Sequence, residues 1–167
     1  MNRTCIAIVD ASRARLFTFD RTQGASGIHE QLVEQRDLVD PARRLRPSEQ
    51  LSDSRPGSSR TGGLQFGFDD HRDAHMDRLD TNFARAVVGE IEGLLRSSGA
   101  HRLILCASPR MLGELRAAGN GLRRGGLVID ELPRDLVKLT VPKLRERLGS
   151  YSLLPPLPRR AGLPHSA

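Results

Sequence analysis

The chain has 167 residues, which suits one domain with a core large enough to fold without disulfides or metals. Its formal net charge is +6, its isoelectric point is near 10.5, and only two of its 26 basic residues are lysine. This charge favours polyanionic partners such as RNA, DNA or anionic lipid, although a GC-rich genome also produces an excess of arginine. One tyrosine and no tryptophan argue against an aromatic platform for stacking single strands.

The two cysteines and the N-terminus indicate the compartment. Cys5 and Cys106 each lie in an apolar run, where a thiol usually packs as a small hydrophobic side chain, and this indicates a reducing environment. The first apolar run spans only about six residues, which is too short for a signal-peptide core or a membrane span. We therefore expect a cytoplasmic protein with no membrane span.

The first forty residues predict antiparallel strands. Residues 4–10 (TCIAIVD) are apolar and rich in β-branched side chains, and residues 14–20 (ARLFTFD) alternate between apolar and polar. These two segments predict a hairpin. Residues 28–39 (IHEQLVEQRDLV) alternate again and are interpreted as a third antiparallel strand, although their Glu and Gln content also permits a helix.

Residues 40–69 differ in character, because prolines, glycines and serines replace most apolar side chains. Such a stretch cannot bury enough apolar surface to offset the entropy of ordering, which predicts a long flexible loop. Long loops inside a domain are often functional. This loop is basic, and its candidate contacts to nucleic-acid phosphates are Arg43, Arg44, Arg46, Arg55 and Arg60.

The clearest helix is predicted over residues 70–97, where apolar side chains recur every three or four residues after Asp69 or Asp70 as the N-cap. At its start, His71 and His75 could share one metal ion. A solvated helix start suffices to explain them, since the neighbouring aspartates suit the positive end of the helix dipole. No third ligand is indicated, so we expect no metal and no other cofactor.

The second half predicts alternating strands and helices. Residues 103–107 form a continuous apolar run, typical of a strand that is covered on both faces in parallel pairing. Ser108 and Pro109 fit the N-cap and first turn of the next helix; no Gly-x-Ser-x-Gly elbow marks Ser108 as a nucleophile. Residues 126–132 predict another strand, and residues 140–148 predict the last helix.

This order of elements predicts an α/β fold. We expect a mixed β-sheet with an antiparallel N-terminal part and parallel crossovers, flanked by helices. Residues 1–149 are assigned to a single domain that carries the flexible basic loop at 40–69. The proline-rich residues 150–167 are assigned to a disordered tail.

Four motifs stand out along the chain: IVDASRARLF at 8–17, LSDSRPGSS at 51–59, RLILCASPRMLGELR at 102–116 and IDELPRDLVKLTVPKLRERL at 129–148. Together they resemble the bacterial host attachment protein family, and the resemblance spans nearly all of residues 4–148. The first motif contributes Asp10, Ser12, Arg13 and Arg15. A turn also needs Asp and Ser for local hydrogen bonds, so these residues have a structural interpretation as well.

The same succession of elements is similar in architecture to the middle domain of archaeal and eukaryotic peptide-chain release factors. That likeness implies a release-factor-like fold with a mobile loop, whose Gly-Gly-Gln tip meets the peptidyl-tRNA ester while a backbone N–H supports the oxyanion. Here Gly62, Gly63 and Gln65 are the candidate catalytic residues, but Leu64 is inserted before the glutamine and breaks the motif. A glycine-rich hinge is the alternative interpretation.

Three functions therefore stay open. The first is a cytoplasmic RNA- or ribosome-associated binding module related to release-factor domains, in which the loop arginines contact phosphates. The second is an ester hydrolase acting on peptidyl-tRNA through the Gly-Gly-Leu-Gln loop. The third is an indirect, intracellular factor for attachment of a bacterium to its host. The sequence favours a binding protein over an enzyme, with RNA or the ribosome as partner and the oligomeric state undetermined.

Overall fold

The computed structural model describes residues 3–44 and 66–157. Its elements are five strands, four α-helices and one short 3-10 helix within those ranges. They are β1 (Thr4–Val9), β2 (Arg13–Gly24), β3 (Gly27–Val39), α1 (Pro41–Arg44), α2 (Phe66–Ser98), β4 (Arg102–Cys106), α3 (Pro109–Ala118), the 3-10 helix (Leu122–Gly125), β5 (Val128–Leu132) and α4 (Val141–Ser150).

The strands form one mixed sheet in the order β3-β2-β1-β4-β5. The pairs β1/β2 and β2/β3 are antiparallel, whereas β1/β4 and β4/β5 are parallel. The predicted α/β fold with an antiparallel first part and parallel crossovers is therefore confirmed. The third strand is also confirmed, since the segment that could have formed a helix pairs with β2 along its length.

β1 is the central strand, and all six of its residues are buried. Because successive side chains of a strand point to opposite faces, Cys5, Ala7 and Val9 pack with α2 and α3, whereas Ile6 and Ile8 pack with α4. The sheet thus has one helical layer on each face. A strand covered on both faces needs a nearly continuous apolar run, and residues 5–9 provide one.

α2 confirms the predicted long helix but begins earlier than expected. Its core positions recur at helical spacing, with Phe83, Val87 and Ile91 buried against the sheet. Helical backbone begins at Phe66, so the prediction that Asp69 or Asp70 caps this helix is wrong. The capping rule favoured the aspartates because it considers only local side-chain chemistry.

Ser108 caps α3 as predicted. Its hydroxyl accepts a hydrogen bond from the backbone N–H of Met111 at 3.3 Å, and Pro109 occupies the first turn. The helix buries Met111, Leu112 and Leu115 against the sheet and α2. This role accounts for Ser108 without any reactive hydroxyl.

Two segments that were expected to lack structure are partly ordered. Pro41–Arg44 is helical although it lies within the predicted loop at 40–69, and α2 includes the last residues of that loop. The prediction of a disordered tail is wrong for residues 151–157. There the backbone N–H groups of Leu153 and Leu154 donate to the Leu148 carbonyl at 3.0 and 3.3 Å, and the Leu154 side chain is buried in the core.

Candidate functional site at the carboxyl edge of the sheet

The candidate site lies where the parallel strands β1, β4 and β5 end, which we call the carboxyl edge. From β1 the chain turns to β2 on one side, and from β4 it passes through α3 to β5 on the other. Open α/β sheets bind ligands outside the carboxyl ends of two neighbouring strands whose following connections run in opposite directions. β3 also ends at this edge, because Val39 pairs with Arg13, so the basic loop leaves from the same place.

Asp10 forms the turn that joins β1 to β2. Its Oδ1 accepts from the backbone N–H groups of Ser12 and Arg13 at 2.7 and 2.6 Å, and from the Ser12 hydroxyl at 3.2 Å. The Ser12 carbonyl in turn accepts from the Asp40 N–H at 2.8 Å. Asp10 and Ser12 therefore fix the local backbone, as an Asx turn does.

Arg15 is a buried structural arginine on β2. Its Nε and Nη2 donate to Glu34 at 2.8 and 2.7 Å, and its Nη1 donates to the carbonyls of Val137 and Leu139 at 3.0 and 2.7 Å. Hydrogen bonding to Glu34 raises the pKa of Arg15. The side chain thus joins β2 and β3 to the segment that precedes α4.

Arg13 makes a bidentate pair with Asp37 on the neighbouring strand, at 2.8 and 2.7 Å. The hydrogen bonds to Asp37 raise the pKa of Arg13. Both groups are about two-fifths exposed, with values of 40% and 42%. This is a cross-strand surface ion pair, which contributes little stability on its own.

Asp80 is the most buried charged group at the carboxyl edge. Its carboxylate is only 5% exposed and pairs with Arg43 from α1 and with the Nε of Arg110 from α3, the latter at 3.0 Å. Arg110 also pairs with Asp77, one turn earlier on α2. Three segments that are distant in sequence therefore meet at one carboxylate.

The hydroxyl and thiol groups of Ser12, Ser108 and Cys106, which lie at the described part of this edge, each have a structural role or a buried position. The Ser12 and Ser108 hydroxyls are engaged in the turn and in the helix cap. Burial raises the pKa of Cys106, at the end of β4, to about 12, so its thiol stays protonated and unreactive. The contacts of this edge can position a segment of chain.

A family model described as "Protein required for attachment to host cells" matches residues 5–148. The chain belongs to this family. Among solved structures, it is similar to the Aquifex aeolicus Ppx/GppA phosphatase of the type II variant, at 15% identity and a TM-score of 0.36. That match covers 79% of this chain and 36% of the other, so the chain spans about a third of that structure's length. No curated protein matches the chain.

In this host attachment family protein, every residue of the motif near the N-terminus contacts other parts of the fold. Asp10 and Ser12 hold the turn, whereas Arg13 and Arg15 hold neighbouring strands. Arg43, predicted to contact phosphate, is paired with Asp80 instead and is 15% exposed. The Asp80 carboxylate therefore occupies the Nη2 of Arg43.

Other predicted site residues lie outside the described part of the chain. They are the candidate catalytic Gly62, Gly63 and Gln65, the candidate phosphate contacts Arg46, Arg55 and Arg60, and the side chain of Arg44. His71 is exposed and His75 is partly exposed. Over residues 3–44 and 66–157, no group of three or more metal-ligating side chains forms, and none of the helices there is both long and apolar enough to cross a membrane.

Sequence reasoning missed Asp80 and Arg110. A signal for Asp80 was present, because it occupies a position on the core-facing stripe of α2, three residues before the buried Phe83. An acidic residue on an apolar stripe indicates a buried ion pair. The partners could not be identified in the same way, since neither Arg43 nor Arg110 lies near Asp80 in sequence.

Proposed function

We propose that this host attachment family protein is an RNA-binding module in which the basic segment of residues 44–65 contacts phosphates. Residues 44–65 include four arginines and two acidic residues. Guanidinium groups suit phosphate oxygens, and the positive charge attracts RNA over a distance set by the salt concentration. The α/β body serves as a rigid mount for that segment.

The observation that supports this proposal most is how the described residues on either side of the segment are placed. The buried Arg43–Asp80 pair fixes its beginning against α2. Its end leads into α2 itself, whose described side chains from residue 71 to 79 are not buried, whereas burial begins at Asp80. This stretch of α2, about 13 Å long at 1.5 Å per residue, is not covered by the core, so the described residues that flank the basic segment are a buried anchor before it and an exposed helix after it.

The test measures the affinity of a fluorescein-labelled RNA hairpin by anisotropy over a series of salt concentrations. Each neutralised phosphate contributes about 0.7 to 0.9 to the slope of log K against log salt. The variant in which Arg44, Arg46, Arg55 and Arg60 are all changed to Gln should therefore lose about three units of slope. An unchanged slope contradicts the proposal.

A matched control removes the same charge from the opposite face of the sheet. Arg134, Lys138, Lys143 and Arg147 are exposed, and none forms an ion pair with a described residue. Changing all four to Gln lowers the net charge equally but leaves the segment intact, so the slope should change by less than about one unit. Equal losses in both variants would mean that net charge alone governs binding.

A second candidate function rests on the family description, which names attachment to host cells. We take attachment by this chain to act through the RNA binding proposed above. A deletion strain complemented with the wild-type gene should then regain attachment, whereas complementation with the four-arginine variant should not. Attachment restored equally by both genes would separate the two functions.

The peptidyl-tRNA hydrolase reading stays a prediction from the sequence. It requires that labelled peptide is released from peptidyl-tRNA and that a Gly63→Val protein loses this activity. Full activity in the variant would remove Gly63 from the mechanism. The likeness to release factors also stays a prediction from the sequence, because it rests on the order of elements alone.

A further inference from the structure

Three arginines form a row along the outer face of α2, and we call Arg78, Arg85 and Arg96 the arginine row. All three are exposed, and none forms an ion pair with a described residue. At about 100° per residue they lie within about 20° of one another around the helix, over a length of about 27 Å. The row is on the side of α2 opposite its buried face, so it points directly into solvent.

The row has no ion-pair partner among the described residues, which is also true of Arg134 and Arg147, and it is set apart because its three arginines share one face of a single helix. Arg13, Arg15, Arg43 and Arg102 each pair with a carboxylate on a neighbouring element. Glu92 lies on the same face, about 20° from Arg85 and four residues before Arg96, but it forms no ion pair with the row. Three arginines against one glutamate leave this face with a net positive charge.

The residues between the arginines favour one class of partner. Asn82 and Gly89 are exposed on the same side of the helix, and no large apolar side chain interrupts the row there. Helices that lie on membranes need exposed apolar side chains to enter the lipid, and single-stranded bases need aromatic surfaces for stacking. The row provides neither, but it provides guanidinium groups, which match phosphate oxygens.

We infer that the arginine row binds the phosphodiester backbone of nucleic acid independently of base sequence. The arginines follow one another at about 10 Å and about 16 Å along the helix, which corresponds to about three and about five nucleotides of a helical strand at 3.4 Å each. This inference rests on the proposed function and extends it, because it adds a phosphate-binding surface on α2 to the one proposed for the basic segment.

The first test changes Arg78, Arg85 and Arg96 to Gln and measures salt-dependent binding of a labelled RNA hairpin. The slope should fall by about two to three units, with no change in melting temperature because the side chains are exposed. A DNA hairpin shows whether the contact is specific for RNA; equal slope losses on both probes are expected for backbone contacts. The control changes Lys138, Lys143 and Arg147 to Gln and should leave the slope within about one unit.

The outcomes separate this inference from the proposed function. If the segment variant loses slope and the row variant does not, the row is not a contact surface and the proposed function stands. If the wild-type protein binds neither hairpin at low salt, the proposed function fails and the inference fails with it. Binding of phosphatidylglycerol vesicles through the row, without binding of either hairpin, overturns the inference in favour of a lipid surface.

A gain-of-function variant tests the row without removing any contact. Gly89 is exposed, lies within about 20° of the row, and has no atom within 4 Å of an added Cβ. Gly89→Arg should tighten hairpin binding and raise the slope by up to about one unit. Gly113→Arg on α3 is the matched control, since Gly113 is also an exposed helical glycine with open space around it. Equal effects of the two substitutions would overturn the inference.

Discussion

Arg43 and Asp80 form an ion pair that joins the short helix after β3 to the long helix α2, with the Asp80 carboxylate 5% exposed. The Asp80 carboxylate also pairs with the Nε of Arg110 from α3, at 3.0 Å. A carboxylate in such surroundings is stable only while its guanidinium partners remain, because burying an unpaired charge is costly. The pair therefore fixes where the basic segment leaves the body.

We expect Arg43→Gln to destabilise the fold and to leave RNA contacts largely unchanged. Removing one partner of a buried ion pair costs about 3–5 kcal/mol, and the remaining Arg110 should limit the loss to about 2–3 kcal/mol. Urea unfolding measures this loss, with Arg85→Gln as an exposed control that should change the free energy of unfolding by less than about 0.5 kcal/mol. Unchanged stability combined with a clear loss of RNA affinity would make Arg43 a phosphate contact after all.

Arg15 should be far more sensitive to replacement by lysine than Arg13. A lysine at position 15 keeps the charge but cannot donate at once to Glu34 and to two backbone carbonyls, so we expect a loss of about 2–4 kcal/mol. The exposed pair at Arg13 is worth about 0–1 kcal/mol. Thermal or urea unfolding of the two lysine variants gives the comparison. Similar losses at both positions would show that the buried contacts of Arg15 do not govern stability.

The pH dependence of stability should contain a contribution from Glu131. Hydrogen bonding from Arg116 lowers the pKa of Glu131 below its ordinary value of 4.5, and Arg123 adds to the effect. Since the folded pKa is below the unfolded one, the ionised carboxylate stabilises the fold above the unfolded pKa, and this stabilisation is lost as pH falls through the folded pKa. The wild type should exceed Glu131→Gln in stability at neutral pH, and the difference should shrink as pH drops below 4.5. Urea titrations at several pH values measure it; a constant difference contradicts the prediction.

The two thiols should be unreactive in the folded protein. Burial raises the pKa of both Cys5 and Cys106, the latter to about 12, so little thiolate is present at mildly alkaline pH. Iodoacetamide should modify neither residue in the native protein and both in urea, as counted by mass spectrometry. Rapid alkylation of Cys106 in the native protein would show that the end of β4 opens readily.

The sheet could be predicted because its signals are local. The apolar runs of β1 and β4 and the alternation of β2 each fit a position in the sheet without knowledge of any partner. The beginning of α2 could not be predicted in this way, since the aspartates at 69 and 70 satisfy a local capping rule that the fold does not use. Leu154 likewise lies in a proline-rich stretch and is ordered by contacts with α4 and the sheet.

The site was harder to predict than the fold, for a related physical reason. Asp80 meets Arg43 and Arg110 only after the sheet has brought three segments to one edge. Arginine content alone could not separate arginines that hold the fold from those that face solvent, because the same residue type serves both purposes. Arg15 and Arg85 look alike in sequence, yet one is buried among four acceptors and the other is exposed.

The most direct measurement is ultraviolet crosslinking of RNA to the protein in living cells, followed by sequencing of the attached RNA and mapping of the crosslinked peptides. We expect RNA to be recovered with the wild-type protein and crosslinks to fall in residues 44–65 and on the outer face of α2. Recovery of no RNA above an untagged control, or crosslinks confined to the opposite face around α4, would contradict the proposed function.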